Sequence, residues 1–431
     1  MCARLRRITV DLTPILPGGD NGGAKLVARS LVSQFAVQAP DTEFTLFTSA
    51  TSHAELADLD APNVRRQCVD HDLAASPVNV GRRLSGARVA ARVLVDTLVP
   101  ANARSRVKDG IWTLVKRQRR AHVASAVAAD LHFSPFTAPF FFDARVPLVA
   151  TIYDLQFLDY PEFFDEQQQR DRQRHFLDAC KCADRLICIS EFVRRSVLAN
   201  SHVQPSVVET IHLGILHATE SNPNARTIAR QVLDGLGVRQ SRFLLYPANA
   251  WPHKNHRLLL EAMAVYLDSR PASDLALICT GAPSAAVEEL KDLGQRILPT
   301  GRFAFAGFLA EREFAALLQS CRALIFPSLY EGFGLPLLEA MACDRPVLCS
   351  NTTSLPEIAG EAAVLFDPHN ASAIASAIER LESDPELEAR LVQAGRARVA
   401  YFGSARDLAT QYLAAFEEVV DARARSDGAT G

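Results

Sequence analysis

Short apolar runs rich in β-branched residues alternate with stretches of helical period along most of the chain. Such runs read as strands buried on both faces, and their alternation with helices predicts parallel sheets covered by helices. In the first half, Ile8–Leu12, Glu43–Thr48, Asp130–Phe133, Pro147–Ile152 and Arg185–Ile189 fit strands. Helices are expected at Ala24–Val37, Glu166–Cys182 and Phe192–Ala199, with a further helical stretch over Val80–Val127. A second set follows the polar segment Thr219–Arg226, with strands at Phe243–Tyr246, Leu275–Thr280, Phe303–Ala306, Ala323–Phe326, Val347–Ser350 and Ala363–Phe366. The fold class is therefore α/β, two doubly wound parallel sheets meeting near residues 214–240, with domains over 1–218 and 219–403. A last helix from about Ser404 carries Leu408, Tyr412, Phe416 and Val420 four apart. That stripe needs burial, and residues 404–431 are expected to cross back onto the first domain.

A length of 431 residues suits two domains, and 48% hydrophobic with 22% charged residues excludes a mainly disordered chain. The net charge of −3 hides a local excess: from Arg82 to Arg120, eleven basic residues face only Asp96 and Asp109. Trp112 is the only aromatic residue there, too few for a nucleic-acid platform, so no nucleic-acid partner is expected. A solvated helix face is the ordinary reading, and an anionic membrane surface the functional one. The nine cysteines lack the spacing of a disulfide or zinc framework; the isolated Cys180-Lys-Cys182 has no second ligand pair. The apolar run after Arg4, Arg6 and Arg7 breaks at Asp11 and Pro14, which predicts a strand and not a signal peptide. No run is long enough to span a bilayer. The expected location is cytoplasmic, peripheral at the inner membrane face if the basic stretch binds lipid.

The most informative segment is Pro327-Ser-Leu-Tyr-Glu-Gly-Phe-Gly-Leu-Pro-Leu-Leu-Glu339. Gly332 and Gly334 flank a tight turn after a strand, and Pro336 marks a helix start, where its missing amide hydrogen costs nothing. Free amides and the helix dipole there suit a phosphate, with Glu331 ahead of the helix and Glu339 one turn into it.

These residues resemble a known family. Glu331-Gly-Phe-Gly-Leu-Pro-x-x-Glu339, followed by Ala-Met-Ala-Cys and Pro346-Val347, resembles the retaining GT-B glycosyltransferases of family GT4, of the bacterial mannosyltransferase, surface-polysaccharide type. The resemblance implies two Rossmann-like domains facing across a cleft and a hexose transferred from a nucleotide-diphospho-sugar to a glycan or lipid-linked acceptor. Lys254-Asn255 matches the family's K-N, whose lysine pairs with the donor diphosphate, while Asn249 stands where many members carry an arginine. Gly22-Gly23 resembles the glycine loop on the acceptor side. Tyr153-Asp154-Leu155 resembles the family's H-D-L, with Tyr153 replacing the histidine. The implied catalytic residues are Glu331, Lys254 and Asp154, and the implied donor-binding residues Asn249, Lys254, Gly332, Phe333, Gly334, Leu335 and Glu339. Ile189-Ser-Glu191, Leu213-Gly214 and Leu355-Pro-Glu-Ile358 are further landmarks without an assigned role.

GDP-mannose is the favoured co-substrate and UDP-linked hexoses remain open; no cofactor is expected. Two D-x-D triplets, Asp58-Leu-Asp60 and Asp70-His-Asp72, raise a divalent metal. Both lie far from the donor motifs, and Lys254 with the amides of the glycine turn can offset a leaving diphosphate, so metal independence is expected. The alternatives are a phosphorylase or epimerase on the same fold, or a non-catalytic nucleotide-sugar sensor at the membrane.

Overall fold

The structure, a computed structural model, describes residues 5–17, 22–70, 118–216, 222–239 and 242–429. The first sheet contains β1 (Arg7–Asp11), β2 (Glu43–Thr48), β3 (Val64–Cys68), β4 (Leu131–Ser134), β5 (Leu148–Ile152), β6 (Arg185–Cys188) and β7 (Val208–Thr210). Their order is β3-β2-β1-β4-β5-β6-β7, with every pairing parallel. The second contains β8 (Phe243–Pro247), β9 (Ala276–Thr280), β10 (Phe303–Phe305), β11 (Ala323–Phe326), β12 (Val347–Ser350) and β13 (Ala363–Phe366). Its order, β10-β9-β8-β11-β12-β13, is again all parallel. Strands β4, β5, β9, β11 and β12 are buried throughout, as helices on both faces require.

The sequence pattern located eleven of these strands and missed β3 and β7. Both are edge strands of the first sheet. β3 reads Val-Arg-Arg-Gln-Cys and β7 only Val-Glu-Thr. An edge strand needs little apolar character, and charge on it discourages further pairing.

Helix α1 (Gly22–Gln38) follows β1, α2 (Glu166–Cys182) precedes β6, and α3 (Glu191–Ala199) follows it. Helix α4 (Leu335–Ala342) follows β11, and α5 (Ala405–Ala429) ends the chain. The stripe of α5 lies on the first domain. Phe416 meets Phe35 and Phe133 with ring centroids 5.6 and 5.0 Å apart, and the buried Tyr412 hydroxyl lies 3.2 Å from Thr151 Oγ1. Just before α5, Ile215 N donates to Gly403 O and Ala405 N to Ile215 O, at 2.9 and 2.8 Å. A Cβ on Gly214 would lie 2.8 Å from Ser404 O, so the backbones meet where glycine allows it.

The basic segment falls mainly outside the described residues. Arg120, counted in that charged face, is turned inward: its guanidinium lies 4.4 Å from the Phe140 ring centroid and 5.7 Å from that of Phe141. The Phe133–Phe142 loop packs the domain, with Phe136 and Phe141 buried.

Candidate active site

Strand order reverses between β8 and β11, which pair directly, and this opens a crevice beyond their carboxyl ends. The loops that leave these two strands carry Lys254 and Glu331. After β8 the chain makes a single turn, Pro252–Lys254, and Asn255 takes a left-handed conformation at φ 60°. Asparagine tolerates that region better than most residues. Asn255 Nδ2 donates to Pro327 O and Pro368 O at 3.1 and 2.7 Å, and Leu329 N donates to His253 O at 2.7 Å. The buried Tyr246 hydroxyl donates to Lys254 O at 2.6 Å. Thus both loops are tied together before any ligand arrives. Lys254 Nζ then donates to Glu331 Oε1 at 2.5 Å, with the two side chains only 12% and 14% exposed.

The glycine turn is shaped by close approach. Gly334 heads α4 at φ 110°, and a Cβ there would lie 2.7 Å from Leu355 Cδ2. Leu335 is the first helical residue and Pro336 the second, one place later than expected, where an amide still has no intrahelical acceptor. A Cβ on Gly332 would lie 1.8 Å from Tyr153 O, across the cleft. Any larger residue would force the domains apart. Ser190 Oγ, at the head of α3, donates to Gly332 O at 2.7 Å from the same side.

Asp154 follows β5 and accepts from Gln156 N at 3.2 Å. Burial raises its pKa; the charge of Glu331 pushes the same way, while Arg172 and Lys254 oppose it. The first domain's Asp154 therefore shares one electrostatic site with the second domain's Lys254–Glu331 pair. Glu339 stands alone: its carboxyl has no hydrogen-bond partner among the described residues, and burial pushes its pKa up to about 7. An ionised carboxylate largely withdrawn from water and left unpaired is costly, so Glu339, half-buried, suits hydroxyl donors from a ligand. His253 and His256 are driven down to about 3 and 4 by burial, so both are neutral near pH 7. No group of three metal-ligating side chains occurs among the described residues. Asp58 pairs with Arg29 and Asp60 with Arg66.

Residues 236–398 match the model of the family Glycosyl transferases group 1. The second domain is a group 1 glycosyl transferase domain. A relative is O-antigen chain mannosyltransferase B of Escherichia coli, 29% identical over 237 residues, covering 55% of this chain and 61% of that protein. D-inositol 3-phosphate glycosyltransferase of Streptomyces scabiei is 26% identical over 96% of this chain and 92% of its own. Among solved structures, Anabaena HepE in complex with UDP and glucose superposes with a TM-score of 0.69 at 18% identity, over 96% of this chain and 100% of that one. The architecture is GT-B.

Within and around the group 1 domain, several expected positions make contacts within the protein itself. Phe333, expected at the donor, is 3% exposed and packs on Phe402 with centroids 5.6 Å apart. Only its backbone faces the turn, where its carbonyl accepts from Ser354 Oγ at 2.9 Å. Asn249 Oδ1 accepts from Ala282 N at 2.8 Å and so fixes the loop after β9, leaving Nδ2 as its remaining donor. The Tyr153 hydroxyl points to Ala24 O, 3.5 Å away, while its carbonyl faces Gly332. Gly22 and Gly23 open α1 opposite Trp251 and Leu335, at 3.7 and 3.8 Å from where their Cβ atoms would stand.

The sequence reading missed an interdomain clasp. Glu357, from the group 1 domain, accepts from Glu191 N and Phe192 N of α3 at 2.7 and 2.9 Å, and pairs with His212 Nε2 at 2.7 Å. Burial alone would raise the Glu357 pKa, but His212 and the two amides outweigh it and hold the carboxyl below its ordinary range. A carboxylate at a helix N-terminus also meets the positive end of its dipole. Ser190 caps α3 by accepting from Val193 N at 3.2 Å; nothing local in the sequence identified its partner as Gly332, or the amides' partner as Glu357. Arg172, on α2, was likewise unmarked, yet its charge reaches both Asp154 and His253.

Proposed function

We propose that this protein is a retaining glycosyltransferase that moves a hexose, mannose from GDP-mannose in the first instance, to a glycan or lipid-linked acceptor. The observation that carries this reading is the Lys254–Glu331 pair at the β8/β11 crevice, facing Asp154 from the other domain. The glycine turn and Lys254 would hold the donor diphosphate, Glu331 would orient the transferred sugar, and Glu339 would take the ribose hydroxyls. The likeness to mannosyltransferases supports the choice of sugar.

No side chain in this cluster stands out as a covalent nucleophile, which favours front-face displacement. The acceptor oxygen bonds to the anomeric carbon on the face from which the β-phosphate oxygen departs, and that phosphate oxygen accepts the acceptor's proton. Lys254 and the turn amides stabilise the charge that develops on the diphosphate, while Glu331 and Asp154 position the sugar. Binding to an anionic membrane surface through residues 82–120 belongs to the same reading, with a cytoplasmic enzyme meeting a lipid-linked acceptor; no described helix is long and apolar enough to cross a membrane.

Release of nucleoside diphosphate, measured against a panel of GDP-, UDP- and dTDP-linked hexoses with and without manno-oligosaccharide, tests the proposal. GDP release that rises with acceptor supports it. No release from any donor would overturn it.

A further inference from the structure

Trp251 is left 42% exposed, in the turn that carries Lys254. Its backbone is held firmly: Trp251 N donates to Asn249 O at 2.7 Å, Trp251 O accepts from Lys254 N at 2.9 Å, and Pro252 fixes the next step. Its indole sits beside the His253 imidazole in a tilted arrangement, with centroids 5.7 Å apart and planes 33° apart. That imidazole is neutral near pH 7, so the pair carries no charge. The indole does not turn into its own domain. Its Cη2 atom is 3.7 Å from the point where a Cβ on Gly22 would stand, so the ring faces the first domain across the cleft.

Two more exposed apolar side chains belong to the first-domain segments on either side of Gly22 in the sequence. Leu16 is 49% and Leu26 45% exposed. Leu26 lies one turn beyond Gly22 on α1, and Leu16 O accepts from Lys25 Nζ at 3.1 Å, which ties the preceding strand exit to the same turn. Single exposed apolar residues are ordinary; an exposed indole set against a bare glycine backbone of the other domain makes a recognition surface.

We propose that the Trp251 indole is a binding platform for a hexose ring of the glycan acceptor at the seam between the domains. This rests on the glycosyl-transfer reading and adds the acceptor subsite to it. A pyranose presents C–H groups on one face, and the negative face of an aromatic ring attracts such positive edges while its area excludes water. Gly22 meets only the edge of the indole, at van der Waals distance, so it is the exposed part of the ring that is offered to the sugar. The group that enters from the first-domain side, opposite the diphosphate held by Lys254, is the acceptor. Because indole and ammonium ride on one rigid turn, seating the sugar on Trp251 also sets its hydroxyl relative to the donor.

The chain has two tryptophans, so Trp112→Phe leaves Trp251 as the sole indole reporter. Titration of that variant with mannotriose, with and without GDP, should give a saturable change in emission. In turnover assays Trp251→Ala should raise the acceptor KM about tenfold, with a shift of less than twofold in donor KM, and Trp251→Phe should recover most of the loss. An emission change with GDP alone, to which mannotriose adds nothing, would make the indole a nucleobase platform and overturn the proposal. A change with anionic vesicles but not sugar, or with none of these, would overturn it too. If no donor is turned over but mannotriose still moves the emission, the transfer reading fails and the subsite stands. If donor is turned over and mannotriose leaves the emission unmoved, the subsite fails and the transfer reading stands.

Discussion

Lys254 Nζ donates to Glu331 Oε1 at 2.5 Å although 77 residues separate them. The pairing of β8 with β11 brings their exits side by side, and the hydrogen bonds of Asn255 and Leu329 hold the two loops together. A lysine and a glutamate, each mostly withdrawn from solvent, are then matched at the crevice. Two consequences separate Glu331 from Glu339, which the motif alone presents as equivalents.

Glu331→Gln should depress kcat by about 10²-fold or more, the scale for losing one oriented stabilising group. It should leave nucleoside-diphosphate affinity nearly intact. Glu339→Gln should instead weaken nucleoside-diphosphate binding by roughly 1–3 kcal/mol, the scale of a charged hydrogen bond. Steady-state kinetics and calorimetry decide between them; exchange of the two phenotypes would mean that the roles are reversed.

The raised pKa of Glu339 predicts a pH dependence. Below about 7 the carboxyl is protonated, and above it becomes the stronger acceptor for ribose hydroxyls. Nucleoside-diphosphate affinity should therefore strengthen as pH rises from 6 to 8, beyond the change seen in Glu339→Gln, where the ligand's own titration remains. The folded protein behaves oppositely. Its pKa lies above the unfolded value near 4.5, so the associated stability is full below that value and fades as pH rises through 7. Melting temperatures of wild type and Glu339→Gln should accordingly diverge between about pH 4.5 and 7, with wild type losing ground to the variant, and then run parallel at higher pH. Parallel curves across that window would remove the assignment.

Gly332→Ala places a Cβ 1.8 Å from Tyr153 O, in backbone that cannot swing aside. The domains must then part. Turnover should fall by at least 10²-fold, a scale reached by misplacement of about an ångström. Scattering should show a larger radius of gyration, and nucleoside diphosphate should still bind the second domain. Unchanged dimensions in solution would count against the tight seam.

Chelation should not inhibit. Asp58 and Asp60 are engaged by Arg29 and Arg66, and the phosphate-binding elements already carry a cation in Lys254. Loss of turnover in EDTA with recovery in Mn²⁺ would reverse this expectation.

The basic stretch predicts lipid binding at its charged positions, with Arg120 set aside because it stacks on Phe140. Replacing Lys116, Arg117 and Arg119 by glutamine should lower affinity for anionic vesicles on the order of 10²-fold, at about 1 kcal/mol per charge. Added salt should weaken wild-type binding further. Equal co-sedimentation of variant and wild type at low salt would refute it.

What the sequence determined was local. Buried strands such as Val347–Ser350 announce themselves because both faces must be apolar, and Gly332, Gly334 and Pro336 mark their turn because few residues fit such backbone. The stripe of Leu408, Tyr412 and Phe416 required a buried partner, and the place of that helix beyond the second sheet pointed to the first domain. Tertiary structure supplied everything that depends on which exits meet. It turned Phe333 into the core, gave Asn249 to a loop amide, set Glu357 on the amides of Glu191 and Phe192, and faced Trp251 toward Gly22. Propensity and periodicity are properties of neighbours along the chain, whereas these contacts join residues at least 33 positions apart, two of them across the cleft. Only tertiary packing, inside the second domain and between the two domains, decides them.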